Sequence, residues 1–169
     1  MATLSIIDGD LIHLLRTGTI QVLAHQVNCQ GVMGAGLARQ IRGVYPAAYH
    51  DYRQALRLGD LQLGGVRATP VGPMRFIAHL AGQDGFGRGR RHTDYVALRS
   101  ALESLAAWHR DFAETVIGIP YGIGCGLGGG DWAVVANLIA DALPAARVVR
   151  FRPLLTPPDA SRAGPRVGV

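Results

Sequence analysis

Lysine is absent from this sequence: all 17 of its cationic side chains are arginines. That absence excludes a phosphate-binding P-loop, which needs a Gly-Lys pair, and any catalysis through a lysine Schiff base. Cysteine is nearly absent as well. Cys29 and Cys125 are the two present, far apart and outside any CxxC or Cys/His array, which excludes a thiol-built zinc site and a disulfide framework. No metal ligand set is legible, and no cofactor is expected. No apolar run approaches the roughly 18 residues that a membrane-spanning helix requires. The N-terminus has no basic start, long apolar stretch or small-residue cleavage site. The expectation is a cytoplasmic protein without a membrane partner.

What is present is enough for one domain with its own core, 169 residues, nearly half of them hydrophobic. The formal charge is +5, and each cation is a planar fork suited to phosphate or carboxylate. A genome-wide compositional bias is the simplest source of the arginine usage.

Short apolar runs alternate with helical periods. Strands are expected at residues 4–7, 20–27, 65–69, 75–80, 114–120 and 148–151. Helices are expected over 34–44, from Pro46 to about Leu56, from Thr93 or Asp94 to about Trp108, and after Asp131 as N-cap. Pro70, Gly72 and Pro73 punctuate the third and fourth strands as a hairpin. This order predicts a mixed sheet between helices, over a domain of residues 1–153, followed by a flexible tail over 154–169 with Pro157, Pro158, Gly164 and Pro165. In such sheets ligands bind beyond the carboxyl ends of the strands.

Three segments stand at such ends. The first, residues 27–36, leaves a buried strand and enters a helix through Gly31, Gly34 and Gly36, so that backbone N–H groups can approach an anion. Its spacing is not that of a dinucleotide fingerprint. The second, residues 122–130, has six glycines in nine positions between a strand and a helix, with Ile123 and Leu127 too apolar for a linker. The third, residues 83–92, is basic through Arg88, Arg90 and Arg91. It reads either as a phosphate-facing loop or as a solvated one, and it has few aromatics for stacking on nucleic acid. Cys125 reads as a small residue in a crowded loop, with a nucleophilic role as the lesser alternative. His25 reads as a strand residue whose ring is hydrogen-bonded.

Together these segments resemble the macrodomain family, in the branch that joins the terminal ADP-ribose protein glycohydrolase to bacterial and phage-type macrodomains. The resemblance is carried by Gly9-Asp10-Leu11, by residues 27–38, by Gly82-Gln83-Asp84-Gly85, and by Ile119-Pro120 through Gly126-Leu127 to Asp131-Trp132. It implies a three-layer αβα fold with a mixed, mostly parallel central sheet and ADP-ribose along its carboxyl edge. By resemblance, Asp10 accepts from the adenine amino group beside Leu11, and Phe151 stacks on the ring. Gly34, Gly36 and Leu37 line the phosphate and distal ribose. Gly122, Ile123, Gly124, Cys125, Gly126 and Leu127 wrap the diphosphate.

Two departures stand out. Gln83 occupies the place of the eukaryotic enzyme's lysine, and Gly128 that of an aspartate after Cys-Gly-Leu. A covalent lysine adduct is therefore impossible here. The resemblance implies a monomeric mono-ADP-ribosyl hydrolase that releases ADP-ribose from acidic side chains by water attack, with Asn28, Gln83 and Asp84 as the catalytic set. Mono-ADP-ribosylated proteins are its expected partners, and ADP-ribosylated nucleic acid a further one. A non-catalytic ADP-ribose reader is the alternative.

Overall fold

The structure, a computed structural model, describes residues 3–153; the expected tail over 154–169 lies outside those residues. In chain order the elements are β1 (Ser5–Gly9), α1 (Leu11–Thr17), β2 (Val22–Val27), α2 (Gly36–Val44), α3 (Pro46–Leu58), β3 (Val66–Gly72), β4 (Arg75–Ala81), α4 (Tyr95–His109), β5 (Ile117–Pro120), α5 (Trp132–Ala142) and β6 (Arg147–Phe151). The strands form one sheet in the order β1-β6-β5-β2-β4-β3. Every pairing is parallel except the β3–β4 hairpin. The expected mixed, mostly parallel sheet is therefore present, hairpin included.

The twofold period of the strands sorts their side chains between two helical layers. Val22, Ala24, Ala78, Leu80, Ile119 and Val148 pack with α4 and α5. Leu23, Ile77 and Val149, one position out of phase, pack with α1, α2 and α3. Val27 and Ala81 complete that second face against Met33 and Tyr52. Burial on both faces explains why β2 reads as a near-continuous apolar run. Gly118 has no side chain because an added Cβ would lie 2.6 Å from Ile20 Cδ1 and 2.9 Å from Leu11 Cδ2.

Two differences from expectation have local causes. The seven-residue helix α1 was not expected from the apolar pattern, yet its stop and start are both present. Asp10 Oδ1 accepts from the Ile12 and His13 amides, and Gly18 closes the helix in the left-handed region. The fifth strand begins at Ile117, not 114, because the chain first makes a 3-10 turn over Arg110–Phe112. Thr115 closes that turn, its amide and hydroxyl both donating to the Phe112 carbonyl.

Candidate ligand-binding cleft

Because the five parallel strands point one way, Asp10, the loops after β2, β4 and β5, and the end of β6 all meet at one edge of the sheet. Three adjoining pockets run along it. The first, of about 260 Å³, lies between Asp10, Leu11, Leu37, Gln40, Tyr121 and Phe151. It shares Leu37 and Tyr121 with a middle pocket of about 410 Å³, which the start of α2 and the glycine loop line from opposite sides. That pocket shares Gln26, Ala35, Gln83 and Leu127 with a third, of about 370 Å³, bounded by Asn28, Gly34 and Phe86 through Arg88.

The middle pocket is built for an anion. Three helices, α1, α4 and α5, are N-capped by the side chains of Asp10, Asp94 and Asp131. Helix α2 is not: Ala35 stands at its N-cap, so its first-turn amides have no side-chain acceptor, and residues 35–38 line the pocket. Across from them, the amides of Ile123 and Cys125 close turns onto the Pro120 and Gly122 carbonyls at 3.0 and 2.9 Å. Those of Gly122, Gly124, Gly126 and Leu127 have no acceptor among the described residues. Both walls therefore contain residues whose amides have no acceptor among the described residues.

A part-buried network holds the glycine loop. The Thr93 hydroxyl donates to the Gly124 carbonyl at 2.6 Å and accepts from Gln26 Nε2 at 2.9 Å. Gln26 Nε2 also donates to Gln83 Oε1 at 2.7 Å, and Gln83 Nε2 donates to the Gly85 carbonyl at 2.7 Å. Gln26 Oε1 is buried without a hydrogen-bond partner. It sits where a Cβ added at Gly82 or Gly124 would be, at 2.6 and 2.7 Å, and Gly124 has φ +71°. Glycine at 124 thus answers to Gln26 and to its own backbone.

The expected catalytic residues divide. Gln83 lines the middle and third pockets, held in one orientation by Gln26. Asn28 lines the third, but its side chain shapes its own loop. Nδ2 donates to the Val32 carbonyl, Oδ1 accepts from the Gln30 and Val32 amides, and the buried Tyr52 hydroxyl donates to the Asn28 carbonyl at 2.6 Å. Asp84 is exposed and lines a separate groove with Arg90, Arg91 and His92, where its Oδ1 accepts from Gln30.

Of the expected binding residues, Asp10, Leu11, Leu37 and Phe151 share the first pocket. Gly36, Leu37, Gly122, Ile123, Gly124, Gly126 and Leu127 line the middle one, and Gly34 the third. Cys125 lines none of these pockets; its thiol donates to the Ile123 carbonyl, and burial followed by Asp131 pushes its pKa up. A thiol so placed stays protonated at neutral pH and is a poor nucleophile. Gln26, Gln40, Thr93 and Tyr121 belong to the site without having been singled out in the sequence.

Beneath the cleft, His25 Nε2 and His79 Nδ1 are 2.8 Å apart across paired strands. Burial above all pushes both pKa values down, that of His79 to about 4. The pair is therefore neutral at physiological pH. No group of three or more His, Cys, Asp or Glu side chains among the described residues is placed to hold a metal, and no described helix is long and apolar enough to cross a membrane.

The Macro domain family model matches residues 24–139. The chain is 28% identical over 129 residues to a DNA ADP-ribosyl glycohydrolase of Mycobacterium tuberculosis, covering 76% of this chain and 36% of that protein. It is 30% identical over 129 residues to a DNA ADP-ribosyl glycohydrolase of Thermus aquaticus, covering 75% and 35%. The solved macrodomain of Mycobacterium tuberculosis DarG is similar with a TM-score of 0.72 at 26% identity, over 90% of this chain and 99% of that one. The chain spans about a third of the length of the curated relatives it matches.

Proposed function

The chain belongs to the Macro domain family, and from that premise we propose that it binds ADP-ribose along the cleft and hydrolyses the bond joining the distal ribose to a modified group. The observation that carries this reading is the uncapped start of α2 facing the unpaired amides of the glycine loop across the middle pocket. Two sets of N–H donors and the positive end of a helix make a seat for a diphosphate. On one side, the exposed Phe151 ring and the free oxygen of Asp10 suit a purine with an exocyclic amine. On the other, the third pocket suits the distal ribose, whose anomeric carbon faces the opening at Phe86 and Arg88.

No carboxylate among the described residues lines that third pocket. The leaving group must then depart without a protein acid, which favours an ester to a glutamate or aspartate over an alcohol, because a carboxylate leaves unprotonated. A water adds at the anomeric carbon as the ester C–O bond breaks, through an oxocarbenium-like transition state, and a substrate phosphate oxygen takes its proton. Gln83, braced by Gln26, keeps a second Nε2 hydrogen for a ribose hydroxyl or that water. The chain's contribution is position and a fixed field of donors. One observation favours a second reading: with Asn28 engaged in its own loop and no base in the pocket, the same cleft serves a non-catalytic reader.

The test uses the purified chain, a protein ADP-ribosylated on glutamate, an ADP-ribosylated oligonucleotide, and calorimetry with free ADP-ribose. Release from the ester, lost in Gln83→Ala, supports the hydrolase. Tight binding with no release makes the chain a reader, and release from the oligonucleotide alone moves the substrate to nucleic acid. Absence of ADP-ribose binding overturns the whole assignment.

A further inference from the structure

Binding of ADP-ribose leaves the arginine-rich loop between β4 and α4 without a role. That loop is not slack. Gln83 and Thr93 form an antiparallel bridge at its base, and the amides of His92 and Thr93 both donate to the Gly128 carbonyl, at 2.8 and 2.9 Å. The base is thus closed and fastened to the glycine loop. From it extend Arg88, Arg90 and Arg91, all exposed, and none pairs with an acidic side chain among the described residues. The Arg91 guanidinium lies 4.5 Å above the Tyr95 ring, and the Tyr95 hydroxyl in turn accepts from the Asp131 amide at 2.8 Å. That cation is held in place, not free in solvent. Arg88 edges the distal-ribose pocket, while Arg90 and Arg91 line a polar groove of about 370 Å³ along the same loop.

Arg88 at the mouth of that pocket and Arg90 and Arg91 in the groove belong to one loop, so whatever is joined to the distal ribose emerges beside it. We infer that the loop is a docking site for an acidic polypeptide segment, the stretch flanking the modified carboxylate, whose Asp or Glu side chains pair with Arg90 and Arg91. This rests on the ester reading above. Two features favour a peptide over a nucleic acid. Asp84 and Asp94 also line the groove, which interrupts the continuous positive track that closely spaced phosphates require. Of the two aromatic rings in the groove, Tyr95 is already covered by Arg91 and His92 is half-buried, which leaves Phe86, outside it, as the exposed stacking platform. Planar guanidinium forks match single carboxylates in two-point pairs.

The experiment compares two peptides that carry one ADP-ribosylated glutamate in either an acidic or a Ser/Gly flank, alongside an ADP-ribosylated single-stranded oligonucleotide. Kd and kcat/KM are measured for the full chain and for Arg90→Gln/Arg91→Gln. The acidic peptide should bind on the order of tenfold tighter than the neutral one at low salt, as two exposed pairs allow. That advantage should vanish in the double variant while the affinity for free ADP-ribose stays unchanged. Equal affinity for the two flanks overturns the inference. A loss confined to the oligonucleotide overturns it too and gives the loop to nucleic acid. If ADP-ribose affinity falls in the double variant, Arg90→Gln alone, which leaves Arg91 on Tyr95, decides by the same comparison. If peptides bind but none is cleaved, hydrolysis fails separately and the flank preference in Kd still decides the docking site.

Discussion

Replacing Thr93 with valine tests whether the network behind the glycine loop shapes the cleft. Thr93 is 2% exposed, and valine preserves its outline while removing the hydroxyl that donates to Gly124 and accepts from Gln26. Neither partner is stranded. The Gly124 carbonyl keeps the Gly130 amide at 2.9 Å, and Gln26 Nε2 keeps Gln83 at 2.7 Å. The loss is therefore that of two part-buried hydrogen bonds at about 1 kcal/mol each, without the full penalty of an orphaned group. For a domain of this size, ~2 kcal/mol lowers Tm by roughly 4–8 °C. The freed glycine loop must then be reordered on binding, and ADP-ribose affinity should fall by about tenfold. Thermal unfolding and titration calorimetry measure the two effects. A Tm and a Kd both indistinguishable from the parent's would refute the network. A lowered Tm with unchanged Kd would leave Thr93 a stabilising residue and detach it from the loop's shape.

Phe151→Ala should weaken ADP-ribose binding by ~1–2 kcal/mol in calorimetry if the exposed ring stacks on adenine, and an unchanged affinity would place the base elsewhere. Stability should depend on the neutral histidine pair. His79 sits at about 4 when folded, against 6.5 for the ordinary side chain, and His25 is shifted the same way. The unfolded chain therefore binds protons first as pH falls, so stability is full above about 6.5 and erodes toward 4, by roughly 3 kcal/mol from His79 alone. Urea midpoints that do not fall between about pH 7.5 and about pH 5 would contradict that. Cys125→Ser should leave release of ADP-ribose within about twofold of the parent, since a raised thiol pKa makes the thiolate scarce; an inactive variant would restore the cysteine to the chemistry.

Much of the cleft was legible because its signals are local. A run of glycines between a strand and a helix marks an anion loop, and the strand order places it beside the start of α2 and the end of β6. The network behind the loop was not legible, because Gln26 meets Gln83 and Thr93 across 57 and 67 residues of chain. Asn28 reads as a ligand-binding side chain, and the structure adds that a short amide at the start of a loop also bonds to its own backbone. Gln83 and Asp84, adjacent in sequence, line different pockets. Successive side chains on an extended segment point to opposite sides, so Gln83 enters the cleft and Asp84 the next groove. Helix α1 is not legible in the apolar pattern because seven residues carry barely two turns of it.

The seating of Gln26 between two glycines bears on how this lineage can drift. A methyl group at 82 or 124 would occupy the space of Oε1, so neither position can acquire alanine while residue 26 keeps its length. A shorter side chain at 26 would make room at 82, but it would release Gln83 from its brace, and at 124 the φ of +71° and the Thr93 hydroxyl, 3.0 Å from an added Cβ, would still oppose a side chain. Positions 26 and 82 are therefore coupled: an alanine at 82 should be accompanied by a shorter side chain at 26, whereas glycine at 124 should persist with either.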